Sequence, residues 1–398
     1  MSKPTSLSRV GDCVVIGGGI AGCTIAYELA RRGLRVVVFE QDWLASAASG
    51  RNMGLLVNQV DPRALRMMRS ALERYREVEP LAPLALRTAP LLLLARDPAQ
   101  LTLARQHAQA LREAGLEADL LDARHLCREW PALAPDVAGG VLVAESWLLD
   151  PAAATRAFAE AAREVGARIE IGVRVASALP DGVLTDRGRV AADAVVAATG
   201  PWLSDLVPSL PVSAGRGWLL RTAPLPTPIP WVVEEMSWPG QDQLSRLARP
   251  LTLGELASDG RPEPAVSALA VAPLPGGAAL IGTSLTPSLR DAVEGVQMPR
   301  LIAERALRCL PGLSQVPVVA AWSGLRPMTP DGWPIVGRSV DGVWVHGGHG
   351  SIGMQAAPAT ARWLADLIVA GEGGEELSEL GPERFRSGVL EGRSPRAD

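Results

Sequence analysis

The stretch that decides the fold is residues 12–40, which opens Asp12-Cys-Val-Val-Ile-Gly17-Gly-Gly19-Ile-Ala-Gly22 and closes Val36-Val-Val-Phe-Glu40. A short apolar strand leads into G-x-G-x-x-G, a helical run follows, and the next strand ends on an acid, the order of a dinucleotide-binding fingerprint. Gly17 permits the tight turn, Gly19 lets a pyrophosphate approach the backbone, and Gly22 lets the helix pack on the sheet. Glu40 can accept hydrogen bonds from ribose hydroxyls. The pattern predicts a Rossmann-like domain and leaves NAD and FAD both open.

Length and composition bound the remaining classes. The chain has 398 residues, 47% of them hydrophobic, and a net charge of −4. This length predicts two domains. The charge balance argues against a nucleic-acid or anionic-lipid partner. Lys3 is the only lysine, so no lysine outside the N-terminal segment can act as a base.

Cysteine and histidine usage points away from metals and disulfides. The four cysteines and four histidines are dispersed, without Cys-x-x-Cys or metal-ligand spacing. We therefore expect reduced thiols, a cytoplasmic location and no metal site. The longest apolar stretch, residues 13–30, contains glycines and Glu28 and predicts a strand plus a helix rather than a membrane span. Residues 1–11 lack the hydrophobic segment of a signal peptide.

Turn and capping signals divide the rest of the chain. Asp61-Pro62 and Asp150-Pro151 each predict a helix start, because aspartate caps the helix and proline suits its first turn. The further predicted helices are 98–114, 298–310 and one from about 351 to 370. In the last of these, Pro358 predicts regular helix only beyond the proline. The predicted strands are 86–95, 139–145, 168–176, 182–185, 190–197, 211–222 and 266–284.

These elements predict an α/β protein: a Rossmann-like FAD-binding or NAD-binding domain with a second, mainly antiparallel β-sheet substrate domain. The nucleotide domain is predicted to be discontinuous, comprising residues 1–85, 145–210 and 320–375. Residues 86–144 and 211–319 form the predicted substrate domain, with a surface excursion at 239–264. Residues from 371 onward, and the segment 376–398 in particular, are expected to form a weakly ordered tail.

Five motifs, taken together, carry a family resemblance. They are the fingerprint, A-S-G-R-N-x-G at 48–54, A-T-G-P-W at 198–202, G-L-R-P-M-T-P-D-G at 324–332 and G-H-G-x-x-G at 348–353. In this order they closely resemble the FAD-dependent amine oxidoreductases of the D-amino-acid oxidase superfamily, which includes glycine oxidase, sarcosine oxidase and D-amino-acid dehydrogenases.

The resemblance implies noncovalent FAD, because none of the cysteines matches an attachment position. It places the adenosine end on the fingerprint and Val175, the pyrophosphate and flavin on the loop after residue 45, and the flavin pyrimidine edge on the last glycine motif. The implied cofactor-binding residues are Gly17, Gly19, Ile20, Ala21, Gly22, Glu40, Gln41, Ser49, Gly50, Arg51, Asn52, Val175, Thr199, Gly200, Trp202, Gly348, Gly350, Ser351, Ile352 and Gly353.

The resemblance also implies a substrate site. Arg326 would grip a substrate carboxylate above the flavin, since a guanidinium pairs bidentately with carboxylates; the alternative is a structural arginine. His349 is the second candidate at the reaction centre, in a positioning role. The implied reaction is hydride transfer from Cα of an amine or amino acid to flavin N5, and the resulting imine hydrolyses. His346 is expected at a strand end, and His107 and His125 in a peripheral helical region.

The chain departs from the family in two respects. It lacks the lysine that some members use to activate oxygen, and its only tyrosines, Tyr27 and Tyr75, lie in predicted helices of the nucleotide domain. The electron acceptor therefore stays open between oxygen, a quinone and a partner subunit, and a hetero-oligomer stays open with it. Tryptophans can replace tyrosines in the pocket; Trp218, Trp231 and Trp238 lie in the expected substrate sheet, where core packing is the alternative.

Two other functions stay open. The same scaffold could oxidise a hydroxy acid or polyol. It could also form a non-catalytic, FAD-stabilised assembly or interaction protein, whose partner would bind the 239–264 excursion and the tail.

Overall fold

A computed structural model describes residues 8–9, 11–57, 59–236, 266–287 and 297–385, and the statements below apply to these residues. The helices are α1 Ile20–Ala30, α2 Pro62–Val78, α3 Pro98–Glu113, α4 Ala123–Glu129, α5 Pro151–Glu164, α6 Leu203–Leu206, α7 Gln297–Cys309, α8 Gly353–Ala370 and α9 Gly374–Ser378. The first strands are β1 Ser8–Arg9, β2 Cys13–Ile16, β3 Val36–Glu40, β4 Leu55–Val57, β5 Arg87–Thr88, β6 Leu91–Ala95, β7 Ala118–Asp122, β8 Gly139–Val143, β9 Ser146–Leu148 and β10 Arg168–Ile171. The remaining strands are β11 Val175–Leu179, β12 Gly182–Thr185, β13 Gly188–Ala191, β14 Ala194–Ala197, β15 Ser213–Thr222, β16 Val232–Glu235, β17 Val266–Pro273, β18 Ala279–Pro287, β19 Val318–Met328, β20 Ile335–Arg338 and β21 Trp344–Gly347.

The first sheet is the predicted nucleotide-binding sheet. Its strand order is β10-β3-β2-β14-β21-β20, parallel up to β21 and antiparallel at β20. Every residue of β2 and β3 is buried, which is typical of parallel strands covered on both faces. Helices α1, α2, α5 and α8 pack on one face around a common apolar cluster. The Rossmann-like prediction is therefore confirmed.

The second sheet is mainly antiparallel, as predicted. Its order is β19-β15-β18-β17-β16-β6-β8-β7, with a single parallel pairing, between β16 and β6, among the described strands. The alternating residues of β6 separate its two faces. Leu92 and Leu94 pack with α7 and α4 on one face, whereas Leu91 and Leu93 point to the other. That second face is the one that borders the site described below.

Four predicted strands divide where the sequence carries turn residues. The predicted strand 168–176 becomes β10 and β11, in different sheets, with Gly172 at positive φ between them. The predicted strand 190–197 becomes β13 and β14, in different sheets, because the backbone turns at the exposed Asp193. The predicted strand 266–284 is the hairpin β17–β18, whose connection contains Gly276 and Gly277 at positive φ. The strand at 86–95 is interrupted by Pro90, which leaves β5 in a small sheet with β4 and β9.

The domain boundary predicted at residue 320 falls inside a strand. β19 pairs with β15 from Met328 back to Val318, so residues 320–328 belong to the second sheet rather than to the nucleotide sheet. The motif at 324–332 therefore begins on the second sheet and leads back to the first at β20. The division of the chain into domains otherwise stays a prediction.

The C-terminal segment is more ordered than its composition suggested. The expectation of a weakly ordered tail from residue 371 is wrong up to residue 385, because α9 and a 3₁₀ turn at Pro382–Phe385 pack on the body of the protein. Leu377 and Leu380 are buried. Arg384 donates hydrogen bonds to Asp331 and to the carbonyls of Trp333 and Pro334. A few anchoring side chains thus outweigh a polar composition.

Pro358 lies inside α8 without delaying the start of regular helix. A 3₁₀ turn at Gly350–Ile352 leads directly into α8, which is regular from Gly353 through the proline, so the expected irregular stretch up to residue 358 is absent from this described segment. Proline has no N–H for the carbonyl four residues earlier, Met354. The buried hydroxyl of Tyr75 donates to that carbonyl at 2.8 Å. A neighbouring helix thus supplies the missing donor.

One predicted segment and one predicted site residue cannot be compared with the structure. The surface excursion at 239–264 and Trp238 lie outside the described residues. Within the described residues, none of the helices combines the length and the apolar character that crossing a membrane would require.

Candidate active site between the two sheets

A cavity of about 1150 Å³ extends from the fingerprint turn to the second sheet. Its wall at one end is formed by the C-terminal ends of β2 and β3, and its floor at the other end by β15–β18, β6 and β19. A volume somewhat above the ~300–1,000 Å³ of usual small-molecule sites accommodates a large cofactor together with a substrate. The ends of parallel strands are where nucleotides bind in such folds.

Gly17 and Gly22 stand where a side chain would not fit, whereas the approach of a pyrophosphate to Gly19 stays a prediction. Gly17 has a φ of +110°, a conformation that favours glycine, and a Cβ there would lie 2.7 Å from the Ala198 carbonyl oxygen. A Cβ on Gly22 would overlap the Gly17 carbonyl, so this residue allows α1 to approach the turn. Ser49 Oγ accepts a hydrogen bond from Ile20 N at 2.9 Å, next to Gly19. The start of α1 and the loop after residue 45 therefore meet at one point of the cavity.

Glu40 is buried at the end of β3 and lines the cavity. Its two carboxylate oxygens accept backbone hydrogen bonds from Gly18 N at 2.6 Å and Asp42 N at 2.8 Å. A carboxylate has about four acceptor positions, so both oxygens keep one for a ribose hydroxyl. Glu40 thus stabilises the glycine turn in addition to its predicted contact.

Most of the predicted cofactor-binding residues are brought together on the cavity wall. Those that line it are Gly17, Gly19, Ile20, Ala21, Glu40, Gln41, Ser49, Arg51, Asn52, Val175, Thr199, Gly200, Trp202, Gly350, Ser351, Ile352 and Gly353. Gly22, Gly50 and Gly348 lie behind the wall. A Cβ on Gly50 would overlap the Ala45 carbonyl, and one on Gly348 would lie 2.6 Å from Thr329 Cγ2. These three support the site through close packing rather than by contact with the cavity.

The loop at 48–54 is held in shape by its own side chains. Asn52 Nδ2 donates to the carbonyls of Ala48 and Ser49, and its Oδ1 accepts from Gly54 N at 2.8 Å. Arg51 reaches the second sheet, where its Nη1 donates to Ser323 O at 3.2 Å. The loop therefore links the fingerprint to β19, the strand that carries Arg326.

The start of α8 faces the cavity and suits negative charge. Within the described residues, no side chain caps the 3₁₀ turn or the first residues of α8. Free N–H groups at a helix start carry partial positive charge. His349, Gly350 and Ser351 line the cavity at this point.

His349 belongs to a buried polar cluster with His346 and Thr360. His346 Nδ1 lies 2.9 Å from the Ala21 carbonyl, so that nitrogen carries the proton and donates. The Nε2 atoms of His346 and His349 lie 2.8 and 3.2 Å from Thr360 Oγ1. Burial lowers the pKa of His346 to about 4 and that of His349 well below its ordinary value. Both rings are neutral at pH 7, and His346 lies one residue before the end of β21.

Arg326 projects from β19 across the floor of the cavity. Its path crosses Gly217, where any side chain would overlap the guanidinium. Nη2 donates to Thr283 Oγ1 and Nη1 to Ser284 O, each at 3.0 Å. Burial lowers the pKa of Arg326 to about 10, so it stays charged at neutral pH. Among the described residues, none of its partners is a carboxylate.

Sequence reasoning missed three polar residues of the second-sheet half: Thr283, Glu234 and His107. His107 lies on α3 and lines the cavity rather than a peripheral surface. The sequence signal for Glu234 is a pair of consecutive acids in the apolar strand Trp-Val-Val-Glu-Glu, since neighbours in a strand point to opposite faces. Thr283 carries no such signal.

Of the predicted tryptophans, Trp218 and Trp231 both pack against the apolar cluster on the opposite face of the second sheet. Trp218 also lines the cavity. In the part of the chain that the structure describes, no group of histidine, cysteine and acidic residues could hold a metal ion.

The fold and this cavity define a flavoprotein oxidoreductase, and the sequence places the chain in a family. It belongs to the DAO family, FAD dependent oxidoreductase, which matches residues 12–367. The cofactor is therefore FAD. The residues fit this cofactor. The glycines between Gly17 and Gly22 leave room for phosphates to lie close to the backbone, and Glu40 keeps acceptor positions for ribose hydroxyls. Thr199 Oγ1 is a buried hydroxyl on the cavity wall that lacks a partner in the described structure.

Relatives of this chain carry several names. It is 28% identical to a bifunctional ThiO/ThiG protein of Trichormus variabilis over 94% of this chain and 55% of that one, so it spans about half the length of that relative. It is 27% identical to a D-amino acid dehydrogenase of Cereibacter sphaeroides over 94% of this chain and 95% of the other.

Glycine oxidase of Geobacillus kaustophilus is similar in both sequence and structure. The sequences are 28% identical over 90% of this chain and 92% of that one. Its crystal structure superposes with a TM-score of 0.80 at 24% identity, covering 94% of this chain and 98% of the other. The structural likeness shows that the two chains share a fold.

Proposed function

We propose that the protein oxidises an amino acid or N-substituted amino acid whose carboxylate binds Arg326. The observation that carries this proposal is the half-buried, cavity-lining guanidinium, whose partners in the described structure are a hydroxyl and a carbonyl. A partly desolvated charge without a counter-ion is unfavourable, and a substrate carboxylate would provide one in bidentate geometry.

The relatives support an amine as the second substrate group. D-amino acid dehydrogenase and glycine oxidase are each matched over more than nine-tenths of their length. Their names describe amino acids as the molecules on which they act. An anaerobic reduction screen distinguishes the chirality of the substrate at Cα and the substituent on its nitrogen.

FAD, when bound, supplies the two-electron acceptor for the Cα hydrogen. Arg326 orients the carboxylate, which fixes the position of Cα above the floor. The apolar residues Leu91, Leu93 and Leu219 limit water around it. The uncapped start of α8 provides backbone amides at which negative charge is favoured. The product imine would hydrolyse after leaving these groups.

The reduced flavin must pass its electrons to oxygen, to a quinone or to a partner subunit. Lys3 is the only lysine, so a cationic lysine that promotes reaction with oxygen is absent from the described cavity wall. This supports a dehydrogenase that uses a quinone or a partner subunit at least as well as it supports an oxidase.

An anaerobic reduction screen tests the reaction. Glycine, sarcosine, D- and L-amino acids, proline analogues and hydroxy acids are mixed with the holoenzyme, and loss of flavin absorbance is followed. Amino acids should bleach the flavin. Bleaching by hydroxy acids alone would overturn the amine assignment, and a flavin that no donor reduces would favour a non-catalytic role. Repeating the assay with oxygen and with an artificial quinone identifies the acceptor.

Substitution of the guanidinium tests the carboxylate site. Arg326→Met should lower kcat/KM for amino acids by about 10²–10³-fold, because a half-buried charged hydrogen-bonding partner is lost, and should leave FAD content unchanged. Arg300→Met, at an exposed position on α7, is the matched control. Unchanged turnover in the Arg326 variant would remove this residue from the site.

A further inference from the structure

Two consecutive acids on β16 point to opposite faces of the second sheet. Glu235 is buried on the far face, where Arg305 donates to both of its oxygens at 2.8 and 3.0 Å and Leu269 N donates at 3.1 Å. Glu234 lines the cavity instead. One acid is therefore a fully partnered structural residue, whereas the other faces the space where substrate would lie.

Glu234 stands on an apolar part of the cavity floor. Its neighbours in register are Ala270 on β17 and Leu93 on β6, and both line the same cavity. Within the described structure no donor or cation pairs with its carboxylate. Burial raises the pKa of Glu234 to about 7. An unpaired carboxylate is unfavourable at such a position, so its presence points to a ligand that supplies the partner.

The register of the sheet separates Glu234 from the carboxylate site. Arg326 is held over β18 by Thr283 and Ser284. β17 lies between β18 and β16, so the Arg326 guanidinium over β18 and the strand that carries Glu234 are two strand spacings, or about 10 Å, apart. An α-ammonium group is attached to the same carbon as the carboxylate and would not bridge this gap. A cation at the end of a side chain would.

The floor between the two charges is apolar and partly covered. Ala270 lines the cavity with a small side chain, whereas the space over its register partner Gly282 is filled by Leu219, whose Cδ2 lies 2.5 Å from where a Cβ would stand. An extended ligand that reaches from Arg326 to Glu234 would therefore pass along Leu219, which would contact the aliphatic part of its side chain. Further ionisable groups that line the cavity are His107 on α3, Arg51, which reaches β19, and Asp61 and Arg63 at the start of α2.

We propose that Glu234 is a specificity-determining residue, which binds the side-chain cation of a basic amino acid whose carboxylate lies on Arg326. The substrate class is thus amino acids with an amino or guanidino group at the end of an aliphatic side chain. This inference rests on the proposed function, because it assumes that Arg326 receives the carboxylate.

The test compares basic substrates with neutral ones of similar length. The kcat/KM values of the holoenzyme are measured for lysine, ornithine and arginine against norleucine and methionine, in both chiral forms. Glu234→Gln should lower the basic-to-neutral ratio by about 10²-fold, through the loss of a charged hydrogen-bond acceptor, while neutral substrates change by less than about 3-fold. Glu304→Gln, on the exposed face of α7, removes an equal charge and should not alter the ratio.

Two results would overturn the inference: a wild-type preference for neutral amino acids, or a basic-to-neutral ratio that Glu234→Gln leaves unchanged, whether both classes lose activity equally or neither does. Reduction of the flavin by neutral amino acids alone would refute it and leave the proposed function intact. Failure of every amino acid to reduce the flavin would refute the proposed function first. FAD content and the thermal midpoint of each variant exclude misfolding. Glu234→Leu gives a second test, since it should also lose the preference while remaining folded between Ala270 and Leu93.

Discussion

At the scale of single residues, the site depends on charged and polar groups whose partners differ sharply. Glu40 and Glu235 are satisfied by backbone amides or by arginine, and they hold the structure together. Arg326 is only partly satisfied, and Glu234 has no partner in the described structure. Polar groups shielded from water are costly when they lack partners. The number of partners therefore distinguishes residues that stabilise the site from residues that we propose to bind a ligand.

The buried histidines give a prediction at the same scale. His346 is neutral when folded, since burial lowers its pKa from 6.5 to about 4. The unfolded chain binds a proton first as the pH falls, so folding stability is full above pH ~6.5 and declines toward pH 4. The decline attributable to this residue is at most about 3 kcal/mol, the free-energy equivalent of that shift.

The measurement is denaturant unfolding of wild type and His346→Gln between pH 7.5 and 4.5. Wild type should be more stable at pH 7.5, because the variant lacks the buried contacts to Ala21 and Thr360. The difference in unfolding free energy should shrink as the pH falls. A difference that stays constant with pH would show that the ring does not titrate in this way.

At the scale of elements, sequence reasoning succeeded where one residue type has one physical role. Asp61 and Asp150 cap α2 and α5 by accepting from backbone N–H groups, as the Asp-Pro pairs predicted. It failed where the result depended on distant partners. The chain leaves one sheet and enters another at Asp193, which lies between β13 and β14 and whose N–H donates to the Asp12 carbonyl. Arg384 orders a polar segment through contacts more than 45 residues away in sequence. Neither partner can be read from the local pattern.

The proline of α8 gives the prediction at this scale. Tyr75 donates to the Met354 carbonyl, which Pro358 leaves without its helical donor. Tyr75→Phe should therefore destabilise the protein by about 1–3 kcal/mol, since it leaves a buried carbonyl unpaired. Pro358→Ala restores a backbone N–H to the same carbonyl.

A double-mutant cycle in denaturant checks this coupling. Tyr75→Phe should cost markedly less in the Pro358→Ala background than in wild type, because the carbonyl then keeps a partner. Tyr27→Phe is the matched control, since its hydroxyl pairs with Glu77 rather than with α8. Equal costs in both backgrounds would mean that the tyrosine contributes only through packing of its ring.

At the scale of the whole molecule, the cavity is built from segments that are far apart in the sequence. The fingerprint, the loop at 48–54 and the start of α8 come from both ends of the chain, whereas the floor comes from its middle. The residues predicted to bind the cofactor were recognisable in the sequence, because they stand in motifs with mechanical roles. Glu234 and His107 were not, because their place in the site is fixed by sheet register and by the packing of α3.

Because FAD would contact segments from both ends of the chain, its binding should stabilise the fold as a whole. A ligand that binds only the folded chain stabilises it by ~2.7 kcal/mol at a free concentration of 100 times its Kd. Titrating FAD into the apoprotein should raise the thermal midpoint in a concentration-dependent way. Glu40→Gln should require about 10-fold more FAD for the same rise, since it loses a charged acceptor at the ribose end.

Two readouts separate binding from structure, because Glu40 also accepts from Gly18 and Asp42. The midpoint without FAD reports the loss of those backbone contacts, and the concentration dependence reports the contact with the cofactor. Glu304→Gln should behave as wild type in both. If Glu40→Gln lowers only the FAD-free midpoint and titrates like wild type, the carboxylate holds the glycine turn and does not contact the ribose. If it also shifts the titration, the same side chain builds the turn and binds the cofactor.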